Sequence, residues 1–223
     1  MGKYMKSIFY KEFIKLNRIL LAVFIINTAV LIYTFFRVRL GIMMNEPSGI
    51  WLDIILKNGI FYSKVETAFY ISALLFGVMQ FYPEFERKRF RLACHLPINE
   101  YKMIFYTSFF GFVVITGIWI YNTLGVILLA AQFFPVDIYK EIPLIIFYWF
   151  LNSLIIYSFA SSLTLEASWN VKLRLVLLMA GSIGAFKMAV YNSNPLYAFT
   201  AFVFAVIYFF AIYFPALRFR KGL

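Results

Sequence analysis

Charge is scarce in this chain: Asp, Glu, Lys and Arg make up 14% of its 223 residues, against roughly 25% in soluble globular domains. A soluble fold of this size is therefore not expected. The single cysteine, Cys94, excludes an internal disulfide, and the single histidine, His95, excludes any site that needs two imidazoles. Although Cys94 and His95 are neighbours, adjacent positions on a helix point about 100° apart, and no third group orients them as a nucleophile and base. With ten acidic residues in all, there is no aspartate cluster of the kind that holds catalytic metal. GxxxxGK[ST], HExxH and GxSxG are also missing, so neither the phosphate-loop route to ATP hydrolysis nor the familiar hydrolase sites are available. An enzyme is not expected, nor is a metal or cofactor.

What is present is apolar: 63% of residues are hydrophobic and 22% aromatic, with 28 Phe and 16 Tyr. A bilayer-crossing helix needs about 20 predominantly apolar residues. Six such runs are expected as spans, near Leu20–Phe36, Thr67–Tyr82, Ile104–Phe134, Pro143–Leu165, Leu173–Val190 and Leu196–Leu217. They use most of the sequence, so residues 1–223 read as one all-α integral membrane domain. The first run follows a basic stretch and precedes no small-residue cleavage site, so retention of the N-terminus is expected.

The formal charge of +11 would point to nucleic acid in a soluble protein; in a membrane protein it reports topology, because Lys and Arg accumulate in cytoplasmic loops. With the N-terminus inside, the cytoplasmic segments hold Lys3, Lys6, Lys11, Lys15, Arg18, Arg87, Lys88, Arg89, Arg91, Lys102, Lys172, Arg174, Arg218, Arg220 and Lys221. The other side holds Arg37, Arg39, Lys57, Lys64, Lys140 and Lys187. Both termini are expected in the cytoplasm. The bilayer is a partner, and nucleic acid is not.

Three pieces outside the spans have character. In residues 1–18, Met5, Ile8, Phe9, Phe13 and Leu16 gather on one side of a helical wheel and Lys3, Lys11, Lys15 and Arg18 opposite, the pattern of a helix lying in the interface. Glu12 interrupts the apolar side. A second, short surface helix is expected after Ser48, with Ile50, Trp51, Ile54 and Ile55 on its apolar side. The third piece is "PEFERKRFRLACHLPINEYK", residues 83–102. Pro83 suits a helix start, Glu84 and Glu86 the first turn, and Arg87, Lys88, Arg89 and Arg91 the later turns, an order favoured by the helix dipole. Pro97 ends it, and Phe85, Leu92 and Leu96 form a small apolar stripe.

Within the spans, ionisable residues stay near the ends (Glu66, Asp137, Glu141, Glu166, Lys187), where they reach headgroups. A proton- or ion-coupled carrier would show a central carboxylate or a broken helix, so transport driven from elsewhere is the better expectation. Asn27, Asn122 and Asn152 are candidates for lining a translocation path; interhelical hydrogen bonding is the commoner use of such residues. Ala73 with Gly77, and Gly181 with Ala185, have the small-xxx-small spacing of close helix approach, within the chain or between copies.

Together, the amphipathic N-terminal segment, six spans with both ends inside and the charged loop ending in "LPINEYK" resemble the membrane subunit of ABC-2 type transporters. That family's loop commonly runs from acidic residues through a basic cluster to Leu-Pro-Ile and a residue pair before Tyr or Lys. Glu84, Glu86, Arg87, Arg89, Leu96, Pro97, Ile98, Tyr101 and Lys102 match, whereas many members have Gly-Thr where this chain has Arg89 and Phe90. The resemblance implies a non-catalytic permease subunit in a bacterial plasma (inner) membrane, exporting a substrate at the expense of ATP hydrolysed by a separate ABC ATPase subunit. It implies a second permease subunit, as a homo- or heterodimer. It also makes the loop between spans two and three a cytoplasmic coupling helix, with Phe85, Glu86, Arg87, Arg89 and Leu92 as docking residues, and makes residues 1–18 an interfacial helix beside it. The alternative is a six-span substrate-binding module of an energy-coupling factor importer, a class that needs no charged loop after span two.

Overall fold

A bilayer offers no water to backbone N–H and C=O groups, so a spanning segment has to satisfy them internally, and apolar runs of this length close into helices. In a computed structural model, residues 2–44, 60–86, 100–136, 140–191 and 195–221 are described, and no strand occurs among them. Among the described residues there are seven helices: α1 (Gly2–Met44), α2 (Ser63–Glu86), α3 (Glu100–Phe133), α4 (Ile142–Leu165), α5 (Trp169–Tyr191), α6 (Pro195–Ala211) and α7 (Tyr213–Lys221). Among the described residues five stretches are long and apolar enough to cross a membrane: Tyr4–Met44, Ser63–Pro83, Tyr101–Phe133, Ile142–Leu165 and Phe199–Arg218. The chain is thus an all-helical, multi-pass membrane protein. The expected span Leu173–Val190 falls within α5, which carries Lys172, Arg174 and Lys187 and is not among the five.

The helix at the centre is α4. Tyr148 to Ser162 are buried without interruption, as expected of a helix enclosed on every side; α2, α3, α5 and α6 pack around it, and α1 packs on α2 and α3. On α1 the side chains of Leu21, Phe24, Ile25 and Ile32 are exposed, and so large an exposed apolar face fits lipid rather than water. α2 and α4 approach each other closely at Gly77. A Cβ on Gly77 would stand 2.8 Å from the Tyr157 carbonyl oxygen and 2.9 Å from Ala160 Cβ, and Ser161 Oγ donates to the Gly77 carbonyl at 3.5 Å. Ala73, one turn earlier, is buried as well. This small-residue pair therefore serves packing inside the chain. Gly181 meets nothing within 4 Å, and the side chain of Ala185 lies outside the described residues.

Three boundaries differ from the sequence expectation. In place of an interfacial helix over residues 1–18 followed by a span, α1 runs as one 43-residue helix. No proline or glycine breaks it between Lys3 and Leu40, and its first turns are fastened to the bundle: Leu16 is fully buried, and the Phe9 ring meets Phe110 edge-on at 5.3 Å. Pro83 does not start a new helix but sits inside α2, which continues to Glu86. A proline in the last turn forfeits one bond to the preceding turn, and the helix ends three residues later. The expected last span, Leu196–Leu217, is interrupted at Ile212, because Pro215 has no N–H for the Ala211 carbonyl and its ring crowds that oxygen. The expected surface helix after Ser48 lies outside the described residues.

At the end of the bundle where α2 begins, Tyr62 packs edge-on against Trp149 at 5.3 Å. Burial, with the Glu141 carboxylate adding to it, pushes the Tyr62 phenol above its ordinary range, so this hydroxyl stays neutral.

Gly77→Val should lower the thermal midpoint of the detergent-solubilised protein by several degrees, because neither backbone can yield and overpacking costs about 1–3 kcal/mol. Gly117→Ala, where nothing lies within 4 Å, should leave it unchanged. Equal midpoints for the two variants would show that the α2–α4 contact does not control stability.

Candidate functional site

Burying a carboxylate in a membrane protein is costly unless it is paired, and α1 buries one in its third turn. Glu12 is 1% exposed, and its partner is Lys15, one turn on and 17% exposed, with Nζ 2.7 Å from Oε2 and 2.8 Å from Oε1. The same ammonium donates to the Gln80 carbonyl at 2.9 Å, crossing from α1 to α2. Gln80 is the hub of the cluster. Its amide nitrogen donates to the Thr107 carbonyl of α3 at 2.7 Å and lies 3.5 Å from Glu12 Oε2. Its amide oxygen accepts from the Tyr157 hydroxyl of α4 at 2.8 Å, and that hydroxyl is also 3.2 Å from the Ser108 carbonyl. One ion pair, one carboxamide and one phenol thus join four helices.

Local sequence makes the joint possible. Glu12 and Lys15 are spaced i, i+3, which places them as neighbours on a helix. At Gly111 of α3 a Cβ would overlap the Tyr157 phenol, so the missing side chain is what admits the ring to Gln80. On the sequence wheel Lys15 fell opposite the apolar side; in the fold it reaches across to Glu12. Gln80 and Tyr157 were not singled out from sequence, since their bond joins positions 77 residues apart.

Deeper along the helices is a second polar group. Asn122 Nδ2 donates to Asn27 Oδ1 at 2.8 Å, and Asn27 Nδ2 donates to Ser72 Oγ at 2.8 Å, linking α3, α1 and α2 in series. Asn152 stands apart from them on α4, with Nδ2 donating to the Tyr70 hydroxyl of α2 at 3.1 Å. Of the three asparagines proposed to line a path, the fold therefore brings Asn27 and Asn122 into direct contact and leaves Asn152 elsewhere. All three are buried and bonded between helices. Among the described residues, the oxygens Asn122 Oδ1, Asn152 Oδ1 and Ser108 Oγ are buried without a hydrogen-bond partner.

The end of the bundle that holds Lys15 and Gln80 is tied a third time. Glu166, just past α4, accepts from Ser168 Oγ at 3.1 Å and lies 3.7 Å from Arg218 Nη1 of α7; Tyr101 of α3 stacks on Tyr213 of α7 at 6.3 Å. From this end the charged stretch departs and returns. Phe85 and Glu86 close α2, their side chains lying outside the described residues; Arg87, Arg89 and Leu92 lie outside them altogether, so the expected coupling helix has no described geometry.

Of the residues assigned to the N-terminal interfacial surface, Phe9 packs between α1 and α3 against Phe109 and Phe110. Met5 is half-buried, and Phe13 and Lys11 are exposed. No group of three or more His, Cys, Asp or Glu side chains positioned to hold a metal ion occurs among the described residues. Comparison with protein-family models, with curated proteins and with solved structures finds no match for this chain.

Lys15→Met should destabilise the protein by about 3 kcal/mol, because it takes the ammonium away from the buried Glu12 carboxylate. The double variant Glu12→Leu, Lys15→Met should recover most of that loss, which equilibrium unfolding in mixed micelles will measure. Asn122→Leu removes a bond between uncharged groups and should cost about 1 kcal/mol in the same assay.

Proposed function

We propose that the chain is the membrane permease subunit of an ABC-2 type exporter, crossing the bacterial plasma membrane six times with both termini in the cytoplasm, and that a separate ABC ATPase drives it. The reading rests on the match of Pro83–Lys102 to the family's coupling loop. The observation that supports it best is where this stretch is rooted. It leaves α2 seven residues after Gln80 and re-enters α3 seven residues before Thr107, and those two residues are bonded to each other and, through Gln80, to α1 and α4. A force applied to the loop would reach four helices within two turns.

In this mechanism Phe85 and Leu92 seat in a groove on the ATPase while Glu86, Arg87 and Arg89 orient the contact from its rim. Closure of the nucleotide-bound ATPase pair moves the loop, and the bundle rotates as a rigid body against a second permease subunit. The unpartnered oxygens of Asn122 and Asn152 are the groups that such a rearrangement would supply with partners, which keeps them as candidates for the path.

Coexpressed with the ATPase from its own gene neighbourhood, the chain should copurify with it at equal stoichiometry. The Phe85→Asp, Leu92→Asp double variant should lose the ATPase while eluting as a monodisperse membrane protein. Retention of the ATPase by that variant rules the docking assignment out. A tightly bound small solute on the chain purified alone would instead favour the substrate-binding module.

A further inference from the structure

One face of α3 has no part in the docking just described. Lys102, Phe105, Phe109 and Phe112 recur at i, i+3, i+7 and i+10, so they share one side of the helix. The three rings stack in series, Phe105 on Phe109 at 5.7 Å and Phe109 on Phe112 at 6.0 Å, with planes 7° and 9° apart. Together with Phe150 and Leu154 of α4 and Phe209 of α6 they wall a cavity of about 270 Å³.

We propose that this groove holds one acyl chain of an anionic phospholipid, whose headgroup phosphate is met by Lys102. Its lining has no polar group free to orient a solute: the one hydroxyl, Ser158 Oγ, donates to the Leu154 carbonyl at 2.9 Å. Sites for drug-sized ligands run to roughly 300–1,000 Å³ and include a few polar anchors; this one is smaller and has none. It is open toward lipid, since Phe202 and Val206 on its rim are 52% and 40% exposed, and its residues lie in membrane-crossing stretches.

Length and charge select the occupant. Lys102 to Phe112 rises about 15 Å along the helix, the depth of one leaflet of a hydrocarbon core about 30 Å thick. Lys102 is exposed at the end of this stripe. There Tyr101 and Tyr213 stack, and tyrosine is a residue enriched at headgroup depth. Among the described residues Lys102 makes no ion pair, and the carboxylate of Glu166 at the same end of the bundle faces Arg218 at 3.7 Å. The inference needs only the membrane-crossing helices and does not depend on the ATPase.

Two experiments test it. The full chain is equilibrated in nanodiscs of equal phosphatidylglycerol and phosphatidylcholine, transferred to mild detergent and weighed by native mass spectrometry. One phospholipid per chain should stay bound, phosphatidylglycerol over phosphatidylcholine by about fivefold, the preference one surface cation confers. Lys102→Glu should erase the preference while keeping a lipid bound. Ala205→Phe and Ser158→Leu, which fill the groove from α6 and α4, should each reduce bound lipid several-fold. In the second experiment the unaltered chain is photo-crosslinked to phosphatidylglycerol with a diazirine in its tail, and adducts should concentrate at residues 105–112 and 202–209. An empty chain, a bound amphiphile that is not a phospholipid, a second copy closing the groove, an undiminished preference in Lys102→Glu, undiminished lipid in both groove-filling variants, or adducts no denser there than on the exposed face of α1 would each overturn the proposal.

Discussion

The carboxylate of Glu12 is buried among helices, out of reach of water, and the way the chain neutralises it organises one end of the molecule. Lys15 closes the ion pair and also donates to the Gln80 carbonyl, so neutralising α1 also fixes the position of α2. The Gln80 carboxamide then draws in Thr107 of α3 and Tyr157 of α4. The backbone of α4 can come close enough to α2 only because Gly77 has no Cβ, and the Tyr157 ring can enter only because Gly111 has none. An electrostatic requirement at one position has become a steric requirement at two others.

Helix positions were largely legible because hydropathy reports what a segment must hide. The apolar run at Pro143–Leu165 corresponds to α4 (Ile142–Leu165) within one residue, and Ile104–Phe134 to the greater part of α3. Hydropathy reports where a segment sits in the membrane and not how far its hydrogen-bond ladder extends. That is why α1 begins eighteen residues before its apolar run and includes the basic turns expected as a separate helix. Proline was misread once and overlooked once: at Pro83 the helix tolerates it near its end, and at Pro215 it breaks a run that composition alone leaves continuous.

The polar contacts were less legible, for a reason of distance. Glu12 was visible as an intrusion on an apolar face, and the i, i+3 spacing to Lys15 was open to inspection. The partners that matter beyond that pair lie 49 to 95 residues away: Gln80 from Lys15, Ser108 and Gln80 from Tyr157, Asn122 from Asn27. No local pattern announces such pairings. The asparagines were correctly located inside spans, but only the fold separates Asn27 and Asn122, which meet, from Asn152, which bonds to Tyr70 instead.

The continuity of α1 has a mechanical consequence. A helix of 43 residues is about 65 Å long, roughly twice the thickness of the hydrocarbon core, and it is clamped near one end by Glu12 and Lys15. From that clamp to Met44 is about 48 Å of helix. Asn27, bonded to Ser72 and to Asn122, ties the middle of the same helix, and Val38 is buried nearer its far end. A helix pinned at three levels is a strut: a push on its first turns is passed to α2 and α3 along its length.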